Sequence, residues 1–174
     1  MDTHPVARLI SATPSATRPR RVDTAAKNAP VVNPIGAPSL EDATPIEKKA
    51  FDQTNAERIK NGLLPLAWDA ALCRMARSNS ENMARLGYFS HETPQGQKLR
   101  DRARAAGIIH YTVLGENIAY NFGYDDPGAF AVERWMLSAG HRANILNTEF
   151  KAMAIGSFVT ADGSVFITQT FIAR

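Results

Sequence analysis

Cysteine is nearly absent: Cys73 stands alone in 174 residues. No intramolecular disulfide can form, and a cysteine-based zinc cluster is excluded. A surplus of charge is missing too. Twenty Lys and Arg against 17 Asp and Glu leave a formal charge of +3, too little to point to a nucleic-acid partner. No apolar run approaches the roughly 18 residues that crossing a bilayer takes. HExxH, Gly-x-Ser-x-Gly and a phosphate-binding glycine loop do not occur, so the common signatures of zinc proteases, serine hydrolases and nucleotide-binding folds are missing. No internal repeat is visible.

Aromatic residues are missing from one stretch only. Residues 1–45 contain none of them, yet hold seven of the ten prolines: Pro5, Pro14, Pro19, Pro30, Pro34, Pro38 and Pro45. Such a stretch buries too little apolar surface to offset its ordering entropy. Residues 1–44 are therefore expected to be a disordered or extended Pro/Ala/Thr-rich segment, whose Arg18, Arg20 and Arg21 form a solvated patch. Asp2, His4, Pro5 and Arg8 interrupt the positions where the apolar core of a signal peptide would lie. On these residues alone a cytoplasmic protein is possible. Residues 45–174 are then one domain, large enough for a real core.

Within that domain, residues 46–60 read as a helix stopped by Asn61-Gly62. Asn55 lies near its inner face, as a buried amide that fixes a loop. Asp69 is the expected N-cap of a second helix reaching Leu86, with Leu72, Met75, Ala76 and Met83 at helical spacing and Gly87 closing it. Cys73 lies beside that stripe, as an inert packed thiol. Residues 95–106 read as a third helix opened by Thr93-Pro94, with Lys98, Arg100, Arg102 and Arg104 as a solvated face. Residues 108–114 are β-branched and aromatic, as a strand would be. Asp126-Pro127 starts a fourth helix to about Leu137. Residues 152–160 and 164–172 flank Ala161-Asp162-Gly163, a hairpin signal. Trp68 and Trp135 are expected in the core.

Polar residues gather at expected element ends. His91 lies in Phe89-Ser90-His91-Glu92-Thr93-Pro94, Glu116 in Gly115-Glu116-Asn117-Ile118, and His141 in Ser138-Ala139-Gly140-His141-Arg142-Ala143-Asn144-Ile145-Leu146. His110 has no evident partner. Spacing alone leaves the three as either a hydrogen-bonded polar cluster or a ligand site.

These segments, with Asn55, Arg58, Leu66-x-Trp68, Trp135-x-x-Ser138 and Thr168-Gln169-x-Phe171, occur in one order over residues 46–171. Together they resemble the bacterial branch of the CAP superfamily (SCP-like domains, with cysteine-rich secretory proteins, venom antigens and plant pathogenesis-related proteins). The resemblance implies an α+β fold, an α-β-α sandwich with a three- or four-stranded antiparallel sheet between helical layers. It implies a central cleft in which His91 and His141 match the family histidines and Glu116 the first acid. Ser138 stands where the family's second acid usually falls, and the acid role does not transfer to Glu133. Asn55, Trp68, Asn117, Trp135, Asn144 and Gln169 become structural motif residues.

Two imidazoles and a carboxylate suit zinc or another divalent cation, with Ser138 near a fourth position. The favoured expectation is a non-enzymatic binding module for a small or lipid-like ligand or a protein partner, acting as a monomer without nucleic acid. The alternatives are a metal-assisted hydrolase of peptides or cell-envelope material, and a structural or recruitment domain. The resemblance places the protein outside the cell or in the cell envelope.

Overall fold

A computed structural model describes the backbone of residues 6–16 and all of residues 38–174. Strand β1 (Val6–Ala16) is followed by helix α1 (Pro45–Lys60), the two-residue strand β2 (Ala67–Trp68), α2 (Ala70–Arg85), α3 (Leu99–Ala105) and β3 (Val113–Phe122). Helices α4 (Pro127–Leu137) and α5 (Ala139–Ile145) and strands β4 (Ala152–Val159) and β5 (Val165–Ala173) complete the chain. The sheet has the order β1-β3-β5-β4-β2. Its four long strands pair antiparallel, and only the β2 edge is parallel. This is the expected α+β sandwich.

Local chemistry sets most of the elements. Thr44 caps α1 in a reciprocal box with Glu47, Pro45 occupies the first turn, and the Asp69 carboxylate accepts from the amides of Ala71 and Leu72 to start α2. Asp126 and Pro127 begin α4 in the same way. The β4–β5 turn closes at Gly163, with φ of 86°, a left-handed conformation that glycine adopts without a Cβ clash.

The sheet is covered on both faces. Residues of odd number on the central strands, among them Met153, Ile155, Ile167 and Phe171, pack with Phe51, Ala131 and Trp135 of α1 and α4. Even-numbered Leu114, Ala152, Ala154 and Ile172 pack with Leu72, Met75 and Ala103 of α2 and α3. Double coverage removes the apolar–polar alternation of a one-sided sheet. Helix α2 also approaches β4 at Gly156, where a Cβ would lie 2.1 Å from the Arg77 nitrogen.

The structure corrects several expectations. The third helix begins at Leu99 rather than at residue 95, because Gly96 takes a φ of 81° and Thr93 closes a turn there. The strand expected at residues 108–114 begins at Val113, since Gly107 and Ile108 still cap α3 through Arg104 and Ala103 carbonyls. Trp135 is fully buried and donates its indole N–H to the Ile118 carbonyl. Trp68 is only half-buried, edge-on to Phe51.

Within the N-terminal segment, Val6–Ala16 is extended and pairs with β3, with a register shift between Ala12 and Ser15 around Pro14, which has no N–H to donate. The Arg18, Arg20 and Arg21 patch lies outside the described residues. Residues 38–44 also contact the helices and the core. Trp68 donates its indole N–H to the Pro38 carbonyl, Leu40 packs on the core, and Arg77 bonds the Asp42 carbonyl. A chain beginning at Pro38 is therefore expected to be more stable than one beginning at Pro45. Loss of the Thr44 cap and the Trp68 bond together should cost about 1–3 kcal/mol, measured by urea unfolding of the two truncated chains.

Candidate functional site

Adjacent residues of a strand face opposite sides, and β3 uses this at its centre. Glu116 faces the α3 layer and Asn117 the α5 layer. Both are fully buried.

Glu116 is gripped by a guanidinium. Arg102 of α3 donates Nη1 to Glu116 Oε2 at 2.7 Å and Nη2 to Oε1 at 2.9 Å, and Nη2 also reaches the His91 carbonyl at 3.0 Å. His91 Nδ1 lies 2.7 Å from Glu116 Oε1. An ionised carboxylate only accepts, so Nδ1 carries the proton. Burial pushes the Glu116 pKa up, but Arg102 and the His91 hydrogen bond outweigh it and hold the carboxyl below its ordinary range.

Three buried polar atoms of this region have no hydrogen-bond partner among the described residues: His91 Nε2, Arg102 Nε and the Tyr88 hydroxyl. Burial raises the Tyr88 pKa, with Arg102 lowering it and Glu116 raising it.

On the other face, Asn117 donates to Gln169 Oε1 at 2.9 Å and to the His141 carbonyl at 3.3 Å. Asn144 donates to Asn117 Oδ1 at 2.8 Å and to the Glu116 carbonyl at 3.2 Å. Gln169 donates to Thr54 Oγ1 at 2.8 Å. One buried chain of amides thus ties α1, β5, β3 and α5 together. The His141 side chain meets Ser138 Oγ through Nδ1 at 2.7 Å. Asn55 is half-buried rather than buried and bonds both backbone groups of Leu66, at 3.0 and 2.8 Å.

The structure brings His91 to Glu116 and His141 to Ser138, but not all four to one point. His141 sits on α5, in the layer that Asn117 faces. Among the described residues no three His, Cys, Asp or Glu side chains are arranged to hold a metal ion. Both Glu116 oxygens already accept from Arg102, whose positive charge opposes a cation beside them. The residues present do not fit zinc. Glu116 and His141 also lie inside elements, not at their ends. Burial pushes the Cys73 thiol up to about 12, an inert state.

Arg102 is the residue that sequence reasoning missed. It was grouped with the solvated arginines of its helix, yet it is 9% exposed. Its spacing of three from Leu99 was the available signal, since such pairs share a helix face.

Removing one partner of a buried ion pair leaves the other charge uncompensated. Glu116→Gln is expected to cost about 3–5 kcal/mol, whereas Glu116→Leu with Arg102→Met together should cost much less. The Glu116 contribution is present above its unfolded pKa, about 4.3, and is lost as pH falls through the depressed folded value. Denaturant titrations should show the gap between wild type and Glu116→Gln narrowing below about pH 4.

Residues 51–171 match the family described as CAP, the cysteine-rich secretory protein family. The uncharacterized protein YkwD of Bacillus subtilis is 41% identical over 138 residues, 79% of this chain and 50% of that protein. The uncharacterized membrane protein YlbC of the same organism is 38% identical over 131 residues, 75% of this chain and 35% of that protein. The chain thus spans half or less of the length of these relatives. A solved extracellular protein of Bacillus anthracis containing an SCP domain superposes with a TM-score of 0.64 at 32% identity, over 76% of this chain and 44% of that one. An outer surface protein of Borrelia burgdorferi shares the fold, with a TM-score of 0.65 at 19% identity over 73% and 91% of the two chains. No helix among the described residues is long and apolar enough to cross a membrane. With its motif residues built into a buried ion pair and an amide chain between two helical layers, the chain belongs to the CAP family.

Proposed function

We propose that this CAP domain is a non-enzymatic binding module for a neutral, lipid-like molecule, held in the groove between α1 and α4. The observation that carries the reading is the groove itself, about 400 Å³ in volume. Ala56, Ala129, Val132, Met136 and Leu137 supply its apolar lining, and Leu137 is 69% exposed. A large side chain left in water at a concave site favours an apolar occupant. Gln53 also lines the groove, and its buried Oε1 has no hydrogen-bond partner among the described residues, which suits a hydroxyl donor. Glu57 and Glu133 outnumber Lys60 at the rim, which disfavours a carboxylate head group. Gly128 keeps the two helices close, since a Cβ there would lie 2.5 Å from the Ile46 carbonyl oxygen.

The setting we propose is the cell exterior or envelope, in keeping with the extracellular description of the Bacillus anthracis relative. A hydrolytic reading draws support from the 2.7 Å approach of His141 to Ser138 Oγ. That pair is three residues apart on one short turn, a spacing at which side chains meet on any helix. Covalent labelling of Ser138 by a fluorophosphonate would favour the hydrolase, and none is expected.

Calorimetry with a 1-monoacylglycerol, the fatty acid of equal length, and a chelator tests the binding reading. The monoacylglycerol should bind more tightly than the acid, with the chelator without effect. Ala56→Phe fills the groove from an exposed position and should weaken binding about tenfold, or ~1.4 kcal/mol. Absence of binding by either amphiphile, or equal affinity in Ala56→Phe, would rule the groove out.

A further inference from the structure

Helices α2 and α3 diverge on the opposite face of the sheet and leave a second cavity of about 330 Å³. Arg74, Ser78 and Asn82 of α2 line it at helical spacing, and Met75 and Asn79 form the adjacent row. Arg102, Ala105 and Ala106 come from the end of α3, and Gln97 from the turn before it. That turn is tied down: the Gln97 amide donates to Thr93 Oγ1, and the Thr93 amide to the Gln97 carbonyl.

The lining has a one-sided chemistry. It holds two guanidiniums and no carboxylate, and since Glu116 balances the charge of Arg102, Arg74 supplies the positive charge of the lining. The Nη side of Arg102 is committed to Glu116 and the His91 carbonyl, but its buried Nε has no partner among the described residues. Arg102 is 9% exposed and Asn79 is 2% exposed, so the floor is built from buried polar groups. A buried donor without a partner is costly unless something pairs with it. The carboxamides of Asn82 and Gln97 offer both donors and acceptors, and that of Asn79 is held in place by donating Nδ2 to Thr168 Oγ1 at 3.1 Å; together they match a peptide group. Met75, Ala105 and Ala106 supply a small apolar patch.

We propose that this cavity is a binding site for the C-terminal carboxylate of a short peptide. The guanidinium of Arg74 receives the carboxylate with Arg102 Nε as a further donor, the carboxamides pair with the last peptide bond, and the apolar patch accepts a side chain the size of alanine. A guanidinium–carboxylate contact is charge-assisted and stronger than a neutral hydrogen bond. The site is separate from the α1–α4 groove and does not depend on it.

The test is a titration of the full ¹⁵N-labelled chain with N-acetyl-alanyl-alanine, its C-terminal amide, and inorganic phosphate, followed by NMR. The acetylated dipeptide should give saturable shifts of the Asn79, Asn82 and Gln97 side-chain amides and of Arg102 Nε–H. Its C-terminal amide and phosphate should each bind at least about tenfold more weakly, a difference of ~1.4 kcal/mol. Asn82→Asp and Arg74→Gln change exposed rim residues and should each weaken the dipeptide about tenfold while leaving the remaining spectrum in place. Non-saturable shifts, equal binding of the amide, equal or tighter binding of phosphate, or indifference to both variants would overturn the proposal.

Discussion

The domain depends on the burial of Glu116. A carboxylate at the centre of a sheet is unfavourable unless its charge is matched and its lone pairs are filled. Arg102 and His91 meet both demands, and in doing so they fix α3 and the loop after α2 against β3. One residue further along the strand, Asn117 performs the neutral version of the same task and fixes α5. Two adjacent residues of one strand therefore hold the two helical layers in register. A second ion pair, buried Glu47 with half-buried Arg77 at 2.6 Å, joins α1 to α2 at the other edge of the sheet.

This arrangement explains why a site with the residue types of a metal centre is not one. Coordination needs free lone pairs and negative charge directed to a common point. Here the carboxylate faces a guanidinium, and strand alternation separates it from the layer that carries His141. The histidines act through the hydrogen bonds they make: His91 completes the shell of Glu116, and His141 joins Ser138 at the start of α5. Two concave surfaces lie elsewhere, between pairs of helices, one of them with two arginines in its lining.

Elements whose cause lies within a few residues were legible in the sequence. The caps at Asp69 and Asp126 and the Asp162-Gly163 turn each satisfy or release backbone groups in their own neighbourhood. Misplaced boundaries came where a glycine ended one element later or earlier than apolar periodicity suggested, at Gly96 and Gly107. The motif residues were recognised as a group, and Asn117, Asn144 and Gln169 proved to be one hydrogen-bonded chain.

Composition and order along the chain determined the family, the starts of α1, α2 and α4 and the final hairpin, because these follow from short-range backbone chemistry and residue pattern. The tertiary structure alone decided which arginine of α3 is buried, which side of β3 each polar residue faces, and which histidine meets the carboxylate. Those outcomes rest on desolvation and on pairing between residues as far apart as Thr54 and Gln169. The spacing of Arg102 from Leu99 marks a helix face but not a buried ion pair, since the energy of a buried charge is defined only once its surroundings are assembled.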